Sequence, residues 1–219
     1  MKLYKDIIQN TPEWYAIRAG KITGSVVGDL ITGKGLKLSE SATAKGIYSR
    51  VAYEMKNDVS LSQIFESYES WEMKQGKIYE AEAREYFTAN DFGWQEVGFV
   101  DSEILFGISP DCMQFGFSGE IITGLEIKCP QSVNGYLELN GIKNGKELQS
   151  RKFDYYAQVQ LCMYVCGCDT WQFISYVNEE KRKQGAKCTE FEAEKDEKLF
   201  SLFHEIGQYF VDNYSLIGG

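Results

Sequence analysis

The amino-acid sequence predicts an α/β fold in which helical layers pack on a mostly antiparallel strand meander. Three observations carry that expectation. From residue 94 to 128 the chain runs in short β-rich segments punctuated by glycine-containing turns, and apolar positions at helical spacing flank that region on both sides. The 219 residues, 43% hydrophobic and 14% aromatic, are also enough for one sizeable core. No internal repeat, low-complexity tract or proline-rich linker marks a boundary, so residues 1–219 are expected to form a single domain.

In chain order, Thr11 is the expected N-cap of a first helix, with Pro12 in its first turn, Trp14, Ile17 and Arg18 along it, and Gly20 as its stop. A second helix is expected just after Thr23-Gly24-Ser25, carrying Val26, Val27, Leu30 and Ile31. Helices follow around 44–55 and 71–87, with the polar stretch 57–63 unassigned between them. The meander comprises strands at 95–100, 104–108, 112–117 and 121–128. A helix at about 154–165 leads to strands at 170–177 and 189–193, joined by the charged stretch 178–187. Leu199, Leu202, Phe203, Ile206 and Phe210 then recur at spacings of 3, 4 and 7, the stripe of an amphipathic last helix.

Charge narrows the function classes. With 32 acidic and 23 basic side chains, a net −9, broad charge-driven adhesion to nucleic acid or anionic membranes is disfavoured, although a locally basic cleft survives that total. A single histidine, His204, excludes zinc sites built on several imidazoles, and its place off the apolar stripe gives it no catalytic role. Carboxylates must therefore carry most of any chemistry. No run reaches about 18 apolar residues, and the start lacks an apolar signal region, so an intracellular protein with six reduced thiols and no membrane partner is expected.

The most informative stretch is Ser109-Pro110-Asp111, followed after 14 residues by Glu126-Ile127-Lys128. On a strand Glu126 and Lys128 share one face, while Leu125, Ile127 and Cys129 point the other way into the core. Asp111 lies just past the preceding strand, so a hairpin-like return through Gly116 and Gly119 brings its carboxylate beside Glu126. Two carboxylates a few ångströms apart repel unless a cation sits between them, and hard oxygen ligands suit Mg²⁺ or Mn²⁺. Lys128 beside them could orient or help deprotonate a water, or neutralise charge on a phosphate. On the 71–87 helix, Glu80 falls in register with Gly76, Ala83 and Phe87, so a carboxylate on that small, apolar face needs a partner. On the 154–165 helix, Gln158 shares a face with Tyr155 and Cys162, and Gln160 with Tyr156 and Tyr164.

The pattern Pro-Asp…Glu-x-Lys resembles the PD-(D/E)xK nuclease superfamily. Five blocks in order, 14–25 (Trp14 to Ser25), Gln75 to Glu80, Ser109 to Asp111, Gly124 to Pro130 and Tyr155 to Gln160, are similar to its phage lambda exonuclease-like viral recombinase branch. The resemblance covers most of the chain, with 33–63 matching poorly outside 47–54. It implies a restriction-endonuclease-like core, a central mixed β-sheet flanked by helices. It further implies a Mg²⁺ site, able to take Mn²⁺, made by Asp111, Glu126 and the backbone carbonyl of Ile127, with Glu80 at a second metal position. Lys128 would hold the attacking water, and Gln158 and Tyr155 would line the site. Arg18 and Ser25 match residues that bind the terminal 5′-phosphate, in agreement with the planar donor fork of one and the helix-opening position of the other. Thr23, Lys181, Arg182 and Lys183 are candidate DNA contacts. The activity implied is Mg²⁺-dependent exonucleolytic hydrolysis of one strand of linear duplex DNA from its 5′-phosphorylated end, leaving 3′ single strand for recombination. The family's setting implies a homotrimeric ring around the DNA, a single-strand annealing partner, and a phage or prophage protein in the bacterial cytoplasm.

Two alternatives stay open. A Cas4-like or RecB-like nuclease of different polarity would carry an iron–sulfur cluster on four cysteines. Cys162, Cys166 and Cys168 crowd together, but no cysteine precedes Cys112, so no cluster is expected. A non-catalytic DNA-end-binding scaffold for recombination is the other.

Overall fold

The computed structural model describes residues 1–65, 71–89 and 91–214, the side chains of residues 65 and 71–77 excepted. The chain opens with β1 (Lys2–Tyr4), α1 (Pro12–Arg18), β2 (Ile22–Thr23) and α2 (Gly24–Val27), which continues into one 3₁₀ turn. A small hairpin of β3 (Ile31–Thr32) and β4 (Lys37–Leu38) precedes α3 (Ala42–Asn57), α4 (Leu61–Phe65) and α5 (Trp71–Thr88). Then come β5 (Trp94–Gln95), β6 (Phe99–Asp101), β7 (Phe106–Ile108), β8 (Cys112–Phe115) and β9 (Ile121–Lys128). The remainder is α6 (Val133–Leu139), α7 (Gly145–Arg151), α8 (Phe153–Cys166), β10 (Thr170–Ser175), α9 (Glu179–Lys183), β11 (Thr189–Glu194) and α10 (Glu197–Tyr214).

The strands form two larger sheets, ordered β1-β6-β7-β2 and β11-β10-β9-β8-β5, both mixed. The meander expected over 95–128 therefore breaks twice, between β5 and β6 inside the expected strand 95–100, and between β7 and β8 at Ser109-Pro110, where proline has no N–H to continue a ladder. The second break leaves Asp111 where the chain returns to the second sheet. β9 runs through the middle of this sheet, antiparallel to β8, with Leu125 opposite Cys112, and parallel to β10, with Glu126 opposite Phe173.

Helices cover both faces of that sheet. Leu125 and Ile127 pack with Ala83 of α5 on one side; α8, buried on most of its circumference from Tyr156 to Val165, lies on the other. The apolar stripe of α10 is buried as expected, its Phe203 ring beside Phe106 and Tyr164. Thr11 caps α1 by accepting from the Trp14 N–H, and Gly20 turns the chain with φ 72°.

Several local expectations change. Ile31 belongs to a strand, because a 3₁₀ turn ends the second helix at Leu30. The polar stretch 57–63 runs from the end of α3 into α4. The charged stretch 178–187 is no plain turn, since Asn178 accepts from the Lys181 N–H and caps α9. Ser132 and Asn144 likewise cap the unexpected helices α6 and α7. Among the described residues no helix is long and apolar enough to cross a membrane.

Candidate active site

Strand pairing brings Asp111 to Glu126. The Asp111 N–H donates to the Leu125 carbonyl at 3.2 Å, and its Oδ2 accepts from the Ile127 N–H at 2.5 Å. Backbone groups of alternate strand residues point to the same neighbour, so the Ile127 carbonyl leaves β9 on the Asp111 side. The Glu126 carboxylate is on the opposite, α8-facing side of Leu125 and Ile127, 2% exposed, with Lys128 Nζ 2.5 Å from its Oε1. Lys128 also donates to Gln158 Oε1 at 3.2 Å and stands 4.7 Å from the Tyr155 ring centre. Asp111, Glu126, Lys128, Gln158 and Tyr155 thus come together from one strand pair and one helix.

Glu80 approaches from α5. It touches Arg84, at 3.3 Å, and its charge is felt by both Asp111 and Glu126. The motif positions 75–77 lie outside the described side chains.

The electrostatics are those of an under-neutralised acidic cluster. Burial, then the charges of Glu126 and Glu80, push Asp111 well above the ordinary carboxylate range. Burial also raises Glu126, against the opposing pull of Lys128. For Lys128, burial works to lower the pKa, but the Glu126 and Asp111 charges more than offset it and hold the group as an ammonium. In that form it can donate to water or phosphate and cannot take a proton.

Glu126 Oε2 is buried and has no hydrogen-bond partner among the described residues. A buried carboxylate oxygen without a donor, beside two further carboxylates that destabilise one another, fits a hard divalent cation such as Mg²⁺ or Mn²⁺. Among the described residues no three His, Cys, Asp or Glu side chains form a ready-made ligand set. Glu80 is drawn to Arg84 and Glu126 to Lys128. The donors that fit are therefore Asp111, Glu126 and the Ile127 carbonyl, with Glu80 lining the same cleft as Asp111.

A second pocket, of about 90 Å³, is lined by Tyr15, Arg18, Thr23, Ser25, Arg50 and Glu54 among others. Arg18 stacks 3.9 Å from the Trp14 ring and donates to Ser109 Oγ at 3.2 Å and Thr23 Oγ1 at 3.4 Å. Thr23 and Ser25 hydroxyls are 3.1 Å apart. The pocket is framed by Glu54, 1% exposed, which accepts from Gly20 N–H, Leu61 N–H and Arg50. Sequence reasoning took Ser109 only as part of the Asp111 motif and missed Arg50 and Glu54, an i,i+4 pair of α3 that is tied to the site through the distant Lys21 carbonyl and Gly20 N–H. The two pockets are neighbours. Gly24, between Thr23 and Ser25, packs so closely on α8 that a Cβ there would stand 2.9 Å from Gln158 Cγ.

The basic residues of α9 separate in role. Lys181 reaches Gln131 and lies 5.8 Å from the ring of Tyr79, next to Glu80. Arg182 is enclosed by the Tyr86 and Tyr176 rings, while Lys183 pairs with Glu179 at the surface.

Comparison with solved structures identifies the fold. The chain is similar to an alkaline exonuclease, LHK-Exo, from Laribacter hongkongensis, at 23% identity and TM-score 0.67 over 93% of this chain and 92% of that one. LHK-Exo in complex with dAMP matches equally, at 24% identity, TM-score 0.67 and the same coverage. A phage-related exonuclease from Haemophilus somnus 129PT matches at 16% identity and TM-score 0.58, covering 90% of this chain and 94% of that one. At these identities the likeness shows the fold alone, a mixed α/β core whose sheets are flanked by helices. No curated protein sequence matches the chain. Residues 13–169, which include both pockets and Glu54, Glu80, Asp111 and Glu126, match the family model described as the YqaJ-like viral recombinase domain. The chain belongs to the YqaJ-like viral recombinase domain family.

Proposed function

We propose that this protein is a DNA exonuclease that requires a divalent metal and degrades one strand of linear duplex from a 5′-phosphorylated end, leaving 3′ single strand for recombination. The observation that carries the reading is the Asp111–Glu126–Lys128 cluster, with its unpartnered Glu126 oxygen, one glycine away from the Arg18 pocket. Asp111, Glu126 and the Ile127 carbonyl would hold Mg²⁺, with Mn²⁺ able to replace it, and Glu80 would serve a second position. Bound there, the metal supplies Lewis acidity that makes water a nucleophile at neutral pH and offsets charge on the phosphate.

The remaining work belongs to the chain. Lys128, an ammonium anchored by Gln158 and Tyr155, donates to the attacking water or to a phosphate oxygen. The Ile127 N–H holds the Asp111 carboxylate in one orientation. Arg18, Ser25 and Ser109, with Thr23 behind them, bind the terminal phosphate through a guanidinium fork and hydroxyls. Lys181, beside Tyr79 of α5 and bonded to Gln131 just past β9, is the first candidate among Lys181, Arg182 and Lys183 for a DNA backbone contact. We take residues 1–219 as one exonuclease domain, since the main core draws on residues from Ile22 to Phe210. A homotrimeric ring on DNA, an annealing partner and action in the cytoplasm of a phage's bacterial host accord with the family.

Digestion of linear duplexes ending in 5′-phosphate or 5′-hydroxyl, beside closed circles, tests the reading with Mg²⁺ or EDTA. Linear 5′-phosphorylated DNA should be degraded with Mg²⁺ alone, and Asp111→Ala should abolish it. Activity in EDTA would overturn the metal requirement, and indifference to the end group the role of Arg18 and Ser25.

A further inference from the structure

We propose that Arg84 is a positioning residue that sets Glu80 against the Asp111 loop and so tunes how tightly the Glu80 position takes a divalent cation. This rests on reading Glu80 as a metal ligand. Arg84 follows Glu80 by one helical turn, and Ala83 between them is fully buried against the sheet, which fixes the face of α5 that both residues occupy. The guanidinium has three arms. Nε donates to the Asp111 carbonyl at 2.9 Å, Nη2 is 3.3 Å from Glu80 Oε1, and Nη1 is 2.7 Å from Glu96 Oε1.

One planar group thus ties the helix carboxylate to the backbone of the residue that leads into β8. Glu80, Arg84, Glu96 and Asp111 all line one open cleft of about 430 Å³, bordered by the segment from Lys5 to Asn10. Without the tie, Glu80 is free to rotate into that space. The Glu96 arm is the dispensable one, since Glu96 is 72% exposed and a surface pair contributes little. Only arginine can satisfy the arrangement, because lysine carries the same charge as a point and cannot span two acceptors at fixed angles.

Arg84→Lys isolates position from charge. Mn²⁺ binding to the full-length protein, followed by calorimetry and electron paramagnetic resonance without DNA, is compared for wild type, Arg84→Lys, Glu80→Gln and the double variant. Arg84→Lys should weaken the Glu80-dependent binding by roughly tenfold, the equivalent of one charge-assisted hydrogen bond. It should add nothing once Glu80 is glutamine. On DNA, kcat should fall while KM holds. Wild-type Mn²⁺ affinity in Arg84→Lys, an effect that persists in the Glu80→Gln background, or a raised KM alone would each overturn the proposal. If Glu80→Gln binds Mn²⁺ as wild type does, the ligand reading of Glu80 fails and takes this inference with it. If only Arg84→Lys is silent, this inference fails by itself. Melting in EDTA verifies folding, and Arg84→Gln enters the same cycle should the lysine variant not fold.

Discussion

Asp111 receives one short hydrogen bond, from the Ile127 N–H, and feels two like charges, those of Glu126 and Glu80. A carboxylate so placed is arranged for a cation and costs stability without one. Asparagine keeps the acceptor oxygen and removes the charge. In EDTA, Asp111→Asn should raise the urea midpoint by an amount equivalent to about 1 kcal/mol at unchanged slope, while nuclease activity with Mg²⁺ falls by roughly a thousandfold or more. A lowered midpoint would mean that the charge of Asp111 is structurally needed. This residue was legible in the sequence because strand periodicity and one proline place it beside Glu126, local rules that act over a few positions. Ser109 and Glu54 were not, since the first is defined by Arg18 and Trp14, 91 and 95 residues away. The second is defined by backbone N–H groups of Gly20 and Leu61. Such partners are set by tertiary packing, which single-chain patterns do not encode.

At the scale of elements, the contact of α2 with α8 joins the two pockets, and it depends on small residues. A Cβ on Gly28 would stand 3.0 Å from Asp154 Cα, and one on Gly24 2.9 Å from Gln158 Cγ. In the first case the obstacle is backbone, which cannot rotate away, so Gly28→Ala must part the helices. The expected cost is about 1–3 kcal/mol in unfolding free energy, with preference for 5′-phosphate over 5′-hydroxyl ends reduced although no residue of the Arg18 pocket has changed. Chemical denaturation and the ratio of the two digestion rates measure both; an unchanged ratio would separate α2 packing from end selection. The sequence disclosed α1, β9 and α10 through a cap, a period of two and a period of three to four. It concealed α6, α7 and β1, which are seven, seven and three residues long and show too little periodicity to separate from loop. The break between β7 and β8 was also hidden, because a turn looks the same whether the next strand rejoins its sheet or enters another.

For the whole molecule the question is how a protein of net charge −9 holds a polyanion. Part of the surplus is concentrated at Asp111, Glu126 and Glu80, where it faces the proposed cation. The rest disfavours long-range steering, so affinity must come from a few local phosphate contacts. The α9 cations provide a direct comparison. Lys181 lies beside Tyr79 of α5, whereas Lys183 is 73% exposed, paired with Glu179, and therefore already neutralised. Each phosphate neutralised by the protein steepens the fall of log affinity with log salt by about 0.9 for duplex DNA and about 0.7 for a single strand. Lys181→Ala should therefore weaken binding of 5′-phosphorylated duplex ends and flatten that slope by close to one contact, and Lys183→Ala should leave both as in wild type. The measurement is fluorescence anisotropy with Ca²⁺ in place of Mg²⁺, across a salt series. Equal slopes for Lys181→Ala and wild type would exclude Lys181 from the DNA path; a flatter slope for Lys183→Ala would show that DNA draws Lys183 away from Glu179 and that the path runs along the outer face of α9.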